Sequence, residues 1–102
     1  MYQIIITVSA EQDIKQAVNY IAEELQNPIA AKRLLDNATI AISTLEELPS
    51  RHALTKEDDL AKRGVRLFPV DDYLVFYVVR EKTQTVVIER FLHGRRDWAA
   101  IL

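Results

Sequence analysis

The sequence predicts an α+β domain in which an antiparallel sheet packs against an N-terminal helical hairpin, in the order strand, helix, helix, strand, strand, strand. Three observations predict it. The stretch from Gly64 to Leu102 holds three runs of β-branched and aromatic residues, broken at Asp71-Asp72 and at Glu81 to Gln84, the pattern of a three-stranded antiparallel meander. Between residues 9 and 48, apolar residues recur at helical spacing in two stripes that meet at Asn27-Pro28. The chain opens on an Ile- and Val-rich run. At 102 residues, 49% apolar and 27% charged, the chain is expected to form a single domain over residues 1–102 around one core.

Residues 2–8 predict a short, largely buried strand. Ser9-Ala-Glu-Gln12 matches a capping box, with the Ser hydroxyl on a free amide of the first turn and Gln12 reaching back. Ile14, Ala17, Val18, Ile21 and Leu25 then form one apolar stripe. Asn27 suits a helix cap, and Pro28 has the fixed φ of a first helical residue. The second helix is expected from Pro28 to about Leu48, with Leu34, Leu35, Ala38, Ile42, Leu45 and Leu48 on its inner side and Pro49 as its stop. Two amphipathic helices with so short a joint make an antiparallel hairpin. Residues 50 to about 62 show no periodicity and predict a solvent-facing loop.

The three later strands are placed at about Gly64–Val70, Asp72–Arg80 and Thr85–His93. Pro69 cannot donate to a ladder and marks a sheet edge or a bulge. The middle strand is apolar at both odd and even positions, from Tyr73 to Val79, so both its faces should be covered. Asp71-Asp72 reads as a hairpin turn rather than an acid–base dyad. A last short helix is expected to begin near Arg95 and end at Leu102.

Composition removes several classes of function. There is no cysteine, hence no disulfide framework or thiolate chemistry. No apolar run reaches the roughly 18 residues of a membrane span, and the N-terminus lacks a signal-peptide pattern. A cytoplasmic protein is the simplest expectation. His52 has no His or carboxylate three or four residues on and His93 has only Asp97, so neither a metal nor a cofactor site is expected. Two glycines, Gly64 and Gly94, exclude a phosphate-cradling loop. Net charge is −2. Residues 1–60 carry five Lys/Arg against ten Asp/Glu, whereas residues 61–102 carry eight against five, a weak sign that the sheet half faces something acidic.

The strongest constellation is Arg90 with His93, Arg95, Arg96 and Trp98, crowded around the exit of the last strand. Arginine forks suit carboxylates and phosphates, and Trp makes a large anchor at small entropic cost. These five residues are the candidate target-binding patch, for protein or nucleic acid. In the plainer reading Trp98 packs on the core and the arginines are solvated or pair with Glu89 and Asp97.

With those residues in view, the chain resembles the RelE/ParE superfamily of type II toxin–antitoxin toxins over nearly its whole length. The resemblance is closest to the ParE branch. It rests on Gly64, Arg66, Phe68, Pro69, Val70, Tyr73 and Tyr77, then on Leu92, His93, Gly94, Arg96 and Asp97, together with the Asn27-Pro28 junction and the helix start near Ser9. It implies a RelE/ParE-like β-α-α-β-β-β fold and a growth-arresting toxin neutralised by a cognate antitoxin, in a hetero-oligomer, with no membrane role. The antitoxin is expected to lay a helix in the groove beside the helical hairpin and an extended piece on the sheet.

Two activities are implied, one for each branch. RelE-like members are ribosome-dependent endoribonucleases, and resemblance to the best-known of them expects cations at positions held here by Val65, Leu67 and Leu74, and a tyrosine near a C-terminus that here reads Ala99-Ala-Ile-Leu102. Such a ribonuclease would be left with His93 as base and Arg95 and Arg96 as cations. ParE-like members inhibit DNA gyrase by binding, with no catalytic set. The missing cations and the mild acidity, unsuited to ribosomal RNA, favour a gyrase inhibitor, with the ribonuclease as the alternative.

Overall fold

The computed structural model describes Met1–Leu102. A four-stranded mixed sheet in the order β1-β4-β3-β2 carries the domain. Its strands are β1 (Gln3–Ile6), β2 (Arg66–Val70), β3 (Tyr73–Arg80) and β4 (Thr85–His93). Helices α1 (Val8–Asn19) and α2 (Pro28–Ser43) form the hairpin, and the short helices α3 (Asp58–Lys62) and α4 (Trp98–Ile101) lie later in the chain. The meander β2-β3-β4 is antiparallel, as expected, and β1 joins it parallel to β4. No helix is long and apolar enough to cross a membrane.

The sheet has a core on each face. On one, Ala17, Leu34, Ala38 and Ile42 of the hairpin pack on Val75, Tyr77, Ile88 and Phe91. On the other, Leu60 of α3 and Trp98, Ile101 and Leu102 at the chain's end cover Phe76, Val78 and Leu92. That division explains the unbroken apolar text of β3, whose Val75 to Val78 are all buried.

β1, expected to be largely buried, is the sheet's edge with Ile5 and Ile6 exposed, and the last helix begins at Trp98 rather than near Arg95. Four further sequence expectations shift. The cap of α1 is Thr7, not Ser9. Its Oγ1 accepts from the Ala10 amide at 3.0 Å and donates to the Glu89 carbonyl at 2.9 Å. That carbonyl is available because β4 slips register between the Phe76–Arg90 and Tyr77–Ile88 pairs, leaving Glu89 as an extra residue, a bulge whose groups the ladder does not use. One hydroxyl thus ties α1 to β4, so Thr7→Ala is expected to cost about 1–2 kcal/mol. Ser9→Ala should be near neutral, and urea unfolding of the two variants checks the difference.

Second, α1 ends in a π turn, Tyr20–Glu24, closed by the Leu25 amide on the Tyr20 carbonyl at 3.2 Å. A π turn takes one residue more per hydrogen bond than an α turn, so the stripe rotates, and Leu25 is exposed rather than buried. Third, α2 stops at Ser43 and tightens into a 3₁₀ turn over Thr44–Glu46. Leu45 is fully buried there, while Leu48 stands 78% exposed in the left-handed region (φ 50°) and Leu35 lies toward solvent. At the start of α2 the Asn27 side chain accepts from the Ala30 amide at 3.1 Å and Pro28 occupies the first turn, as the sequence implies.

Fourth, residues 50–62 are not a plain solvent loop. Leu54 bridges Arg66, the Leu67 amide donates to the Ala53 carbonyl, and Leu60 is buried. The segment therefore closes the outer edge of β2 where Pro69 does not. Beside it the His52 ring stacks on Phe68 with centroids 4.3 Å apart, and the Tyr77 hydroxyl donates to the Pro49 carbonyl at 2.6 Å. Burial, then the neighbouring Arg51 charge, lowers the His52 pKa from its ordinary 6.5. The folded chain then binds fewer protons than the unfolded chain just below that value, so stability is full above about pH 6.5 and falls as pH drops through it toward the lower folded value. His52→Gln is expected to remove that part of the acid slope, read as the difference between the two proteins' unfolding midpoints from pH 7.5 to 5.

Candidate functional site

Where β1 ends at Ile6, β4 runs on alone through Glu89–His93 and lacks a strand on that side. Helix α1 supplies the missing partners. Asp13 accepts the Phe91 amide at 3.0 Å and takes both arms of the Arg90 fork, Nε at 2.7 Å and Nη2 at 2.9 Å. The side chains are 25% and 10% exposed for Arg90 and Asp13. The Asp13 hydrogen bonds hold the Arg90 guanidinium charged even more firmly than usual. Arg90 thus fixes strand to helix instead of standing free.

The exit turn follows. The Gly94 amide donates to the Asp72 carbonyl at 2.9 Å, and a side chain at 94 would begin 3.4 Å from that oxygen. This close approach ties the turn to the Asp71-Asp72 hairpin, whose Asp71 adopts a positive φ of 53°. The Arg96 amide donates to the His93 carbonyl at 3.0 Å, and the Arg95 amide donates to His93 Nδ1 at 3.1 Å. With its Nδ1 lone pair occupied, neutral His93 carries its hydrogen on Nε2.

The five candidate residues therefore divide. Trp98 leans on the Phe76 ring at 5.3 Å and roofs the second core. Arg90 is held by Asp13. Arg95 and Arg96 are exposed and join none of the three ion pairs in the molecule, which are Lys15–Glu11, Lys32–Asp36 and Arg90–Asp13. Glu89 and Asp97 pair with neither. His93 and Arg96 open instead into a cleft of about 510 Å³ whose walls are Tyr20 of the π turn that follows α1 and Tyr73 and Phe91 of the sheet. Tyr73 stacks on Phe91 at 5.0 Å, 8° from parallel. Burial, helped by the Asp72 charge, raises the Tyr73 pKa and keeps its hydroxyl neutral. Asp13, Tyr20 and Phe91 went unnoticed in the sequence as site residues. Asp13 meets Arg90 and Phe91 from more than 70 residues away, Tyr20 and Phe91 reach the cleft from separate elements, and no local pattern marks them.

A second concavity, about 450 Å³, lies between β1 and α2 and is lined by Ile4, Ile6, Ile14, Leu35, Ala38 and Ile42. β1 is the open edge of the sheet. The Gln3 and Thr7 amides donate to β4-side carbonyls, so strand alternation points the backbone groups of Ile4 and Ile6 outward. No three His, Asp or Glu side chains gather closely enough to hold a metal ion.

The family model for the ParE toxin of the type II toxin–antitoxin system, parDE, matches residues 4–98. The chain belongs to the ParE toxin family. A chain of the chromosomal ParDE toxin–antitoxin system from P. aeruginosa superimposes on this ParE-family fold with a TM-score of 0.73 at 15% identity, covering 91% of this chain and 96% of that one. A chain of the RelBE2 toxin–antitoxin complex from Mycobacterium tuberculosis does so with a TM-score of 0.61 at 19% identity, covering 90% of each. At such identities the likeness is one of fold. Among curated proteins no sequence matches the chain.

Proposed function

We propose that this ParE-family toxin arrests DNA replication by binding DNA gyrase, and that a cognate antitoxin neutralises it from the groove beside β1. One observation carries the choice of binding over RNA cleavage. The positions at which a ribonuclease of the superfamily would be expected to carry cations hold Val65, Leu67 and Leu74, and these pack into the second core beneath α4. Val65 is fully buried. A phosphorane could gain no charge stabilisation from that face. His93 offers a poor substitute base, since the Arg95 amide already occupies its acceptor nitrogen. What the exit turn does offer is two unpaired arginines, which serve recognition.

For the antitoxin, the supporting features are the open β1 edge and the apolar groove below it. An extended segment pairing with Ile4 and Ile6 satisfies the edge, and an amphipathic helix fills the groove, two recurring modes of peptide capture.

The test is induction without antitoxin, with DNA and protein synthesis labelled separately, and a supercoiling assay on purified gyrase. Early arrest of DNA synthesis and direct loss of supercoiling are expected. Arg95→Ala/Arg96→Ala should weaken the inhibition by about tenfold or more while still capturing the antitoxin. Early arrest of translation with cut messages, abolished by His93→Ala, would replace this reading with the ribonuclease one.

A further inference from the structure

We propose that the cleft between α1 and the β3–β4 end of the sheet is the target-reading site, and that it receives an acidic peptide segment carrying one aromatic side chain. The inference rests on the binding function above and names what that function grips.

The cleft has the two parts such a ligand needs. Its floor is a stiff aromatic platform, because Tyr73 stacks on Phe91 and the His93 ring meets Tyr73 edge-on at 5.3 Å. Tyr20 lines the same cleft from the π turn after α1 and is 53% exposed. It is also the residue at which the helix widens into the π turn, a rare distortion that recurs at functional sites. An aromatic guest between the Tyr20 and Tyr73 rings gains offset or edge-on contacts with both.

The rim supplies the charge. Of the two ionised groups lining the cleft, Asp13 is neutralised by Arg90, which leaves Arg96 as the uncompensated charge of the lining, while the Asp72 carboxylate that acts on Tyr73 lies outside the lining. The Arg96 fork at the rim suits a carboxylate flanking the aromatic residue, with the unpaired Arg95 next in the chain but outside the lining. Two such arginines are too few for a nucleic-acid track, whose affinity needs many phosphate contacts, and the chain as a whole is net acidic at −2.

The probe is the acetylated, amidated pentapeptide Asp-Glu-Trp-Glu-Asp, titrated into the ¹⁵N-labelled protein. Saturable shifts are expected at the amides of Tyr20, Tyr73, Phe91 and His93, weakened about tenfold by Tyr20→Ala and by Arg96→Glu. Both side chains are largely exposed, so both variants should keep the wild-type spectrum elsewhere. Asp-Glu-Ser-Glu-Asp and Lys-Lys-Trp-Lys-Lys should not saturate. No saturation with the acidic Trp peptide, equal binding of the basic one, or tighter occupation of the same amides by a single-stranded oligonucleotide would overturn the proposal. Gyrase supercoiling separates this failure from failure of the parent reading. If the wild type does not inhibit, gyrase binding falls. If it inhibits and Tyr20→Ala and Arg96→Glu inhibit equally well, only the cleft falls.

Discussion

Phe76→Ala is expected to lower stability by about 3–5 kcal/mol, close to the whole reserve of many domains this size. Phe76 is fully buried at the centre of the second core, and its ring is the floor on which Trp98 rests. Removing it opens a cavity that the sheet backbone cannot collapse, and it takes away the surface that orders a helix of only four residues. Trp98 is the sole tryptophan, so its emission reports the event directly. The urea midpoint should drop sharply, with emission moved toward that of a solvated indole before global unfolding. Phe76→Leu should recover most of the loss. A cost near 1 kcal/mol for the alanine variant would mean that α4 and the sheet do not share a packed core.

The second large effect is Asp13→Ala, at about 2–3 kcal/mol. Breaking a buried pair by removing one member typically costs more, but Arg90 keeps a quarter of its side chain in water and recovers some hydration. The variant strands a guanidinium and leaves the Phe91 amide without its acceptor. Arg90→Ala should cost less, because Asp13 still receives that amide. Removing both should cost less than the sum of the single changes, since Asp13→Ala/Arg90→Ala strands no charge. A double-mutant cycle in urea gives the three numbers. If Arg90→Ala proves the costlier single change, the arginine does more than anchor β4 to α1.

The elements that the sequence made legible were those set by local rules. The Asn27-Pro28 junction, the Asp71-Asp72 turn, the three later strands and the two covered faces of β3 all follow from residues within a few positions of one another. What escaped depended on distant partners. Ser9 and Thr7 are equally good caps locally, and the Glu89 carbonyl freed by a bulge decides for Thr7. The loop over 50–62 has no pattern of its own because its order comes from pairing with β2. At the candidate site the same limit applies. Arg90, His93, Arg95, Arg96 and Trp98 cluster in the text, yet each strand and turn sends its side chains to different places. Only His93 and Arg96 meet in the cleft, beside Tyr20 from a helix 70 residues earlier in the chain.

The two borders of the sheet are not equivalent. Along β2 the Ala53–Thr55 segment and Pro69 leave little backbone for another strand, whereas β1 presents its outer row bare. A sheet that can be extended on both sides polymerises; one that can be extended on a single side terminates after one event. Unprotected molecules at high concentration should therefore stall as pairs joined β1 to β1 and should not seed fibres. The blocked border acts as a chain terminator built into the monomer, leaving the bare one free to serve a chosen partner without exposing the cell to runaway assembly.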